Sequence, residues 1–185
     1  MSEGTRAFVC VTPPAEVAEA VGAFIASLRP FGGFRWVAAE AVHVTLKFLG
    51  DSGPEMIQSL DTNLSRLGGV GPFEIGLKGA GAFPGISRPR VVWLGIDEGA
   101  ETLAKLASRI DRAARSAGYE SEKRRFQPHL TLGRSRAEPV VVPGLEEALA
   151  AAPKLSWRCG GFILMKSVLT PRGPLYTAIR EYPLG

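Results

Sequence analysis

Apolar residues along the chain recur with two periods, one typical of strands and one typical of helices. Residues 6–12 alternate weakly and predict a strand, and the next segment has apolar side chains every three or four residues as far as Leu28, which predicts a helix. The same spacing predicts two further helices, one after Ser52 and one that ends near Gly118. The remaining short apolar runs predict strands at 35–37, 43–49, 73–77, 91–96 and 129–134.

Short strands with one buried face favour antiparallel sheets, and their mixture with helices indicates the α+β class. The order helix, turn and His-initiated strand occurs twice, over residues 13–49 and 100–134. We therefore expect two similar lobes that face each other, each with a mainly antiparallel sheet. Glycine and proline predict a loop over 79–89, a short helix is expected at 143–152, and residues 157–183 are expected to form two or three strands.

The composition is that of an ordinary globular protein. The 185 residues are 45% hydrophobic and 22% charged, which suits one two-lobed domain over 1–185. No apolar run approaches the ~20 residues that span a bilayer, and the N-terminal apolar run is too short for a signal peptide. We expect a cytoplasmic monomer without a membrane partner. In that compartment Cys10 and Cys159 are expected to be free thiols in or near the core.

The charge of the chain is mildly positive, with 22 Lys and Arg against 18 Asp and Glu. The excess fits an anionic substrate such as RNA without requiring one. Lys123-Arg-Arg125 is a candidate contact for an RNA backbone, and a solvated loop is the alternative. The two cysteines and two histidines lack metal-ligand spacing, and no Walker loop or dinucleotide fingerprint is present. No metal and no cofactor are therefore predicted.

The only two histidines of the chain begin the same local pattern. These are His43-Val-Thr-Leu46 and His129-Leu-Thr-Leu132. In a strand, residues i and i+2 point to one face, so each histidine projects together with Thr45 or Thr131 while the apolar partners enter the core. Two lobes related by approximate symmetry would bring both pairs to one cleft.

Two imidazoles and two hydroxyls around one small space suit phosphodiester cleavage without a metal. The reaction needs a base for the attacking oxygen and an acid on the opposite side for the leaving oxygen, because the displacement is in line. Histidine serves in either role near neutral pH, since its ordinary pKa is ~6.5. The hydroxyls of Thr45 and Thr131 would donate hydrogen bonds to the non-bridging phosphate oxygens. The residues alone leave open which histidine is the acid.

These motifs and their flanks resemble the two-histidine phosphoesterase superfamily. Within it, the chain is most similar to the bacterial and archaeal RNA 2′,3′-cyclic phosphodiesterases, also called 2′-5′ RNA ligases. The resemblance covers essentially the full length. It rests on Arg35-Trp36-Val37, His43-Val-Thr-Leu-Lys-Phe-Leu-Gly50, Gly81-Ala-Phe-Pro84, Arg88-Pro-Arg-Val-Val-Trp93-Leu-Gly95, Phe126-Gln-Pro-His-Leu-Thr-Leu-Gly-Arg134 and Tyr182-Pro-Leu-Gly185.

The resemblance implies a bilobal fold, with two mainly antiparallel sheets and outer helices around a central cleft. It also implies that His43 donates a proton to the departing O3′ and that His129 accepts a proton from water, which gives a 2′-phosphomonoester. The expected partner is RNA with a 2′,3′-cyclic phosphate or 2′-phosphate end, for example a tRNA fragment. A weak, ATP-independent 2′-5′ ligation is implied as the reverse reaction.

Three further residues near the motifs are candidates for substrate binding. The resemblance places Phe48 and Arg134 where a nucleobase is held, by stacking and by guanidinium contact. Strict alternation puts both on the side away from the histidines, so a bend or a bulge is required. Alternation puts Lys47 on the side of His43, where it would hold phosphate unless it is a solvated lysine at the end of a strand.

Two alternatives to RNA cyclic phosphodiesterase remain open from the sequence. One keeps the chemistry and changes the substrate to a small cyclic nucleotide. The other is a non-catalytic module that binds RNA ends, although intact His-x-Thr motifs argue against it. Turnover by the wild-type protein and its loss on replacement of either histidine would separate these classes.

Overall fold

The computed structural model describes residues 4–136, 141–171 and 173–185. Its strands are β1 (Thr5–Val11), β2 (Phe34–Trp36), β3 (Val44–Ser52), β4 (Phe73–Phe83), β5 (Val91–Ile96), β6 (His129–Ser135), β7 (Leu155–Cys159), β8 (Gly161–Thr170) and β9 (Gly173–Pro183). Its helices are α1 (Ala15–Leu28), α2 (Pro54–Ser65), α3 (Ala100–Ser116) and α4 (Leu145–Ala150). None of the helices in these ranges is long and apolar enough to cross a membrane.

The strands form one antiparallel sheet in the order β7-β4-β5-β6-β3-β1-β8-β9. The ninth strand, β2, lies outside this order and pairs with β6. Every pairing between neighbours is antiparallel, as the pattern of half-buried strands predicted. The α+β class is confirmed. The expectation of two separate sheets needs correction, because β3 and β6 join the halves into a single nine-stranded sheet.

The joint between the halves is one residue pair, Val44 opposite Leu130. Both side chains are fully buried, so the joint belongs to the core. In an antiparallel register this pair sets His43 opposite Thr131 and Thr45 opposite His129, on the other face of the sheet. The two sequence motifs therefore meet at the point where the two halves of the sheet meet.

The helices and the sheet share one continuous cluster of buried apolar side chains. The inner stripe of α3 follows the predicted helical spacing, and its members are Leu103, Leu106, Ala107, Ile110 and Ala114. Cys10 and Cys159 are buried and free, as expected. The predicted loop over 79–89 is partly wrong, because β4 continues to Phe83 by pairing with β5. Pairing with β5 therefore extends β4 into a segment whose glycine content predicted a loop.

Each motif strand contains a bulge one residue after its threonine. In β3, Val9 pairs with Lys47 and Cys10 with Thr45, which leaves Leu46 as the extra residue. In β6 the neighbouring strand β5 skips Leu132 in the same way, since it pairs with residues 131 and 133. A bulge shifts the alternation by one residue, so the positions three after each threonine return to the face of the histidines.

The residue that follows the second bulge is Gly133, and a larger residue is excluded there for a steric reason. Trp36 lies opposite Gly133 in the β2–β6 pairing and covers its backbone. A Cβ atom on Gly133 would lie 2.6 Å from Cε3 of Trp36 and 3.0 Å from its Cζ3. The indole therefore occupies the space that any other side chain at 133 would need.

We expect Gly133→Ala to lower the free energy of unfolding by about 1–3 kcal/mol, because the added methyl group displaces the Trp36 ring. Urea unfolding of the variant and the wild type measures the difference. Gly32→Ala is the matched control, since a methyl group there meets no atom within 4 Å. The control should be as stable as the wild type or slightly more so. Equal stability of Gly133→Ala and wild type would contradict the steric explanation.

Candidate active site

A cleft of about 1130 Å³ runs along the motif strands. Thr45, His129, Thr131, Phe48 and Arg134 are among the residues that line it. His43 is not among the lining residues but lies beside them, because the register sets it opposite Thr131 and because the charge of His129 lowers the pKa of His43. The structure thus brings together the four motif residues that the sequence predicted would share a cleft.

Both imidazoles are fixed in the same way by the backbone that precedes them. Nδ1 of His43 lies 2.8 Å from the carbonyl oxygen of Ala41, and Nδ1 of His129 lies 2.7 Å from that of Gln127. A carbonyl only accepts, so Nδ1 carries the proton and donates it in each ring. Nε2 is then the atom that accepts a proton in the neutral imidazole and donates one in the imidazolium.

Aromatic rings hold each imidazole in its orientation. The His43 ring lies 5.2 Å from the Tyr176 ring, edge to face, and 4.9 Å from that of Phe8. Phe83 contacts His129 in the same edge-to-face manner at 5.2 Å. Sequence reasoning gave these aromatic residues no role at the site, although Phe83 belongs to the segment Gly81-Ala-Phe-Pro84 quoted above, because they come from strands far away in the chain. Only the sheet order brings them to the histidines.

The pKa of both histidines is lowered from the ordinary value. Burial is the main cause for His43 and for His129, the backbone hydrogen bonds work against it, and the positive charge of Arg134 lowers both values further. Both imidazoles are therefore mainly neutral at neutral pH in the free protein. A neutral imidazole accepts a proton, and the imidazolium of a histidine with a lowered pKa is a stronger acid than an ordinary imidazolium.

The bulges place the two candidate base-binding residues in the cleft. Phe48 is 62% exposed, Arg134 is also exposed, and both line the cleft. The sequence predicted that a bend or a bulge was needed to bring them to the side of the histidines, and the register shifts in β3 and β6 provide it. In the register of β3 and β6 the two residues lie on opposite sides of the position where Thr45 faces His129. Each can contact a nucleobase in the cleft, Phe48 by stacking and Arg134 through its guanidinium.

The same bulge changes the surroundings expected of Lys47, although this residue is among those that line the cleft. Alternation placed Lys47 beside His43, but Leu46 and Lys47 are both buried after the bulge, with Lys47 only 6% exposed. Its ammonium donates to a carboxylate oxygen of Asp111 at 2.7 Å and to the carbonyl of Glu120 at 2.7 Å. Its role in phosphate binding stays a prediction, now for a lysine whose ammonium has two protein partners.

Asp111 on α3 links Lys47 to the loop that forms the far wall of the cleft. The carboxylate also accepts hydrogen bonds from the Ser121 hydroxyl at 2.8 Å and the Glu122 amide at 2.9 Å. Burial raises the pKa of Asp111, but its hydrogen bonds, above all that from Lys47, outweigh burial and hold the pKa below its ordinary range. The wall that carries Lys123-Arg-Arg125 is thereby fixed to the strand that carries Thr45.

Within 4–136, 141–171 and 173–185 there is no group of three or more His, Cys, Asp and Glu side chains arranged to hold a metal ion. The prediction of metal-independent chemistry rests on the two imidazoles and not on this observation. Its test is the response of turnover to a chelator, which is described below with the reaction.

Comparison with known families gives a match over most of the chain. The model of the 2′-5′ RNA ligase superfamily matches residues 13–170. An RNA 2′,3′-cyclic phosphodiesterase of Archaeoglobus fulgidus is 33% identical over 177 residues, which are 96% of this chain and 99% of that protein. One of Escherichia coli K12 is 38% identical over 144 residues, or 77% of this chain and 79% of the relative.

Solved structures with the same fold include Escherichia coli LigT. Its apo form superposes with a TM-score of 0.79 at 30% identity and covers 99% of each chain. LigT complexed with 3′-AMP has the same TM-score and identity and covers 98% of this chain and 99% of LigT. The likeness extends over both halves of the sheet and includes both motif strands.

The lowered histidine pKa values predict a bell-shaped pH profile centred in acid. An acid–base pair works when one imidazole is protonated and the other is neutral, so the centre of kcat/KM lies midway between two pKa values below ~6.5. Arg134→Gln removes a charge that lowers both values, so the centre should move to higher pH. The measurement is kcat/KM for a cyclic phosphate substrate from pH 4.5 to 8.5.

Arg112→Gln is the control for this shift, because Arg112 is an exposed arginine on α3 outside the cleft lining. It should leave the centre of the profile in place. Arg134→Gln is also expected to lower the maximal kcat/KM. The pH at which the profile is centred does not depend on that loss. A centre that stays in place in Arg134→Gln would show that Arg134 does not tune the histidines.

Lys47→Met should destabilise the protein, because it leaves the Asp111 carboxylate without its buried cation. We expect the free energy of unfolding to fall by about 2–4 kcal/mol, since one partner is nearly fully buried and the other is partly exposed. Lys78→Met is the matched control. It removes an exposed pair with Asp97 at 3.0 Å and should cost less than about 1 kcal/mol.

Thermal or urea unfolding of both variants, with kcat/KM beside it, distinguishes the two roles of Lys47. A loss of kcat/KM with unchanged stability would favour direct phosphate binding. A loss of stability with near-normal kcat/KM at low temperature is the result expected from the observed contacts.

Proposed function

The chain belongs to the 2′-5′ RNA ligase superfamily, and from this premise we propose that it hydrolyses RNA 2′,3′-cyclic phosphate ends to 2′-phosphomonoesters. The observation that carries the proposal is the matched pair of imidazoles. His43 and His129 have the same tautomer and stand opposite Thr131 and Thr45 across the joint of the sheet. Relatives of the chain bear the name RNA 2′,3′-cyclic phosphodiesterase.

In the proposed reaction His129 is the general base. Its neutral Nε2 takes a proton from water while the water oxygen attacks the phosphorus of the cyclic ester. The lowered pKa of His129 keeps this imidazole neutral at the pH of the reaction. The hydrogen bond to the Gln127 carbonyl keeps Nε2 directed away from the backbone and available to water.

His43 is the general acid on the opposite side. The bond between phosphorus and O3′ breaks, and Nε2 of protonated His43 gives its proton to O3′, so that a 3′-hydroxyl and a 2′-phosphate remain. Both histidines return to their starting states by proton exchange with water. The displacement is in line, which requires acid and base on opposite sides of the phosphorus, and the two halves of the sheet supply one each.

Thr45 and Thr131 are proposed to hold the non-bridging oxygens of the phosphate. Each hydroxyl lies beside the histidine of the other motif in the register of β3 and β6. Hydrogen bonds donated to these oxygens strengthen as negative charge grows on them in the transition state. Phe48 and Arg134, which flank the motif residues in the cleft, are proposed to hold the terminal nucleobase.

Ligation follows if a 5′-hydroxyl takes the place of water. His129 would deprotonate the hydroxyl, the oxygen would attack the cyclic phosphate, and O3′ would leave with the proton from His43. The product is a 2′-5′ phosphodiester, and no ATP is consumed because the cyclic ester supplies the leaving group. Water is far more concentrated than RNA ends, so hydrolysis dominates. We further propose that the protein acts as a cytoplasmic monomer on RNA fragments such as those of tRNA.

The test is hydrolysis of a short RNA with a 2′,3′-cyclic phosphate end, in EDTA, by wild type, His43→Ala and His129→Ala. Wild type should release the 2′-phosphate at an undiminished rate in EDTA. Each variant should lose about 10²–10⁴-fold in kcat, because a positioned proton donor or acceptor contributes that much. Analysis of the product end separates a 2′-phosphate from a 3′-phosphate.

Thermal unfolding of both variants checks that the fold is kept. Loss of wild-type turnover in EDTA, or a 3′-phosphate product, would contradict the mechanism. A wild-type protein that binds RNA ends but never turns over would favour the non-catalytic module. Turnover of cyclic mononucleotides alone would move the substrate from RNA to small cyclic nucleotides.

A further inference from the structure

We propose that an arginine rim, formed by Arg35, Arg134 and Arg136, binds the phosphate backbone of the RNA nucleotides that precede the cyclic end. The proposal rests on the proposed function, because it assigns the path of the same RNA substrate beyond its terminal nucleotide. The protein would then bind single-stranded RNA over several nucleotides and not only the terminal cyclic nucleotide.

The first observation is that Arg35 lies directly opposite Arg134. Their Cα atoms are partners in the antiparallel pairing of β2 and β6, and on the other side of β6 the partner of Arg134 is Val91. Residues directly opposite each other in such a pair project to one face of the sheet. Val91 and Arg134 both line the cleft, so Arg35 projects to the cleft side, from the edge of β6 that also pairs with β3.

Arg136 continues the row along the chain. Its amide still donates to the carbonyl of Gly33 at 2.9 Å, so the pairing with the segment before β2 extends two residues past Arg134. The alternation of a paired strand returns Arg136 to the side of Arg134. Arg35, Arg134 and Arg136 are all exposed.

The second observation is that this arrangement is unfavourable without a ligand. Like charges directly opposite each other destabilise a strand pair. Among the described residues, no carboxylate is within ion-pair distance of Arg35, Arg134 or Arg136. The described segments 29–37, 83–91 and 129–136, which meet here, contain no Asp or Glu at all. An anion of extended shape is the partner that this surface fits.

The opposite wall of the cleft differs in this respect. Lys123-Arg-Arg125 is interleaved with acids, since Glu120 and Glu122 lie in the same loop and a carboxylate oxygen of Glu122 accepts the amide of Arg124 at 3.1 Å. The positive field is therefore weaker there than along the arginine rim. Between the two basic surfaces of the cleft, the charge distribution favours the rim as the contact for the RNA backbone.

The position of the rim fits a chain that leaves the proposed base site. Arg134 lies two steps of the β5–β6 pairing after Thr131, because Leu132 is the extra residue of the bulge, and this corresponds to about 7 Å along the strand. Arg35 lies beside Arg134 across one strand spacing of about 5 Å, along the edge of β6 that also pairs with β3, the strand that follows His43. Arg134 borders the base site, so its guanidinium can contact both the terminal nucleobase and, together with Arg35, the first preceding phosphate. The next phosphate would meet Arg136, two residues further along the chain. A mononucleotide has no such phosphate and would not reach Arg35 or Arg136.

The test compares substrates of different length with variants of the outer part of the rim. The substrates are a 2′,3′-cyclic mononucleotide with a free 5′-hydroxyl and a hexanucleotide that ends in the same cyclic nucleotide. The variants are Arg35→Gln, Arg136→Gln and the double substitution. Arg112→Gln is the control for a general loss of positive charge, and a triple substitution of Lys123, Arg124 and Arg125 to Gln tests the opposite wall.

The double variant should lose about tenfold in kcat/KM on the hexanucleotide and stay within twofold of wild type on the mononucleotide. Each lost phosphate contact should also reduce the slope of log kcat/KM against log salt by about 0.7, the value for single strands. Equal losses on both substrates, or no loss on the hexanucleotide, would overturn the proposal. The proposal would also be overturned if the triple substitution in the opposite wall abolished the preference for the hexanucleotide and the double variant of the rim did not.

Direct binding of a fluorescent hexanucleotide separates this inference from the proposed function. One outcome is that wild type binds the hexanucleotide, that the double variant binds it about tenfold more weakly, and that neither protein hydrolyses it. This outcome would support the arginine rim and contradict the proposed reaction. If wild type hydrolyses both substrates with equal kcat/KM and the variants match it, the reaction stands and the rim is wrong.

Discussion

The pairing of Val44 with Leu130 is the contact on which the rest of the structure depends. It is the only residue pair that joins β3 and β6 in the described ranges, and both side chains are fully buried between the sheet and the helices. Burial of this pair fixes the relative position of the two halves of the sheet. On the opposite face the same register sets each histidine against the threonine of the other motif, so the core and the candidate active site have one common origin.

The paired bulges then divide the residues after each threonine between core and cleft. Leu46 and Leu132 fill the core as extra residues, and Phe48 and Arg134 turn to the cleft. Lys47 is turned inward by the same shift, where Asp111 pairs with it and holds the far wall. One irregularity, repeated in two strands, therefore sets both the base site and the loop that faces it.

Electrostatics connects these features to the proposed chemistry. Burial lowers the pKa of both histidines, and an exposed arginine without a carboxylate partner in the described residues lowers them further. The excess of positive charge on the side of β2 and β6 is unfavourable for the empty protein and favourable for an anionic chain. The site thus combines neutral imidazoles at the joint of the sheet with a basic surface that leads away from it.

The sequence by itself determined the α+β class, the helices and strands near their observed bounds, and the four motif residues that meet at the joint of the sheet. It succeeded there because helical spacing, alternation and the repeated His-x-Thr pattern are local signals. It could state that Phe48 and Arg134 required a bulge, but it did not indicate that Lys47 is buried against Asp111, since a bulge depends on how the neighbouring strand pairs. The single continuous sheet, the aromatic residues Phe8, Phe83 and Tyr176 beside the imidazoles, and the Arg35–Arg134 pair were decided only by the tertiary structure. Each of these joins segments far apart in the chain, and burial and cross-strand pairing set such contacts where local preference does not.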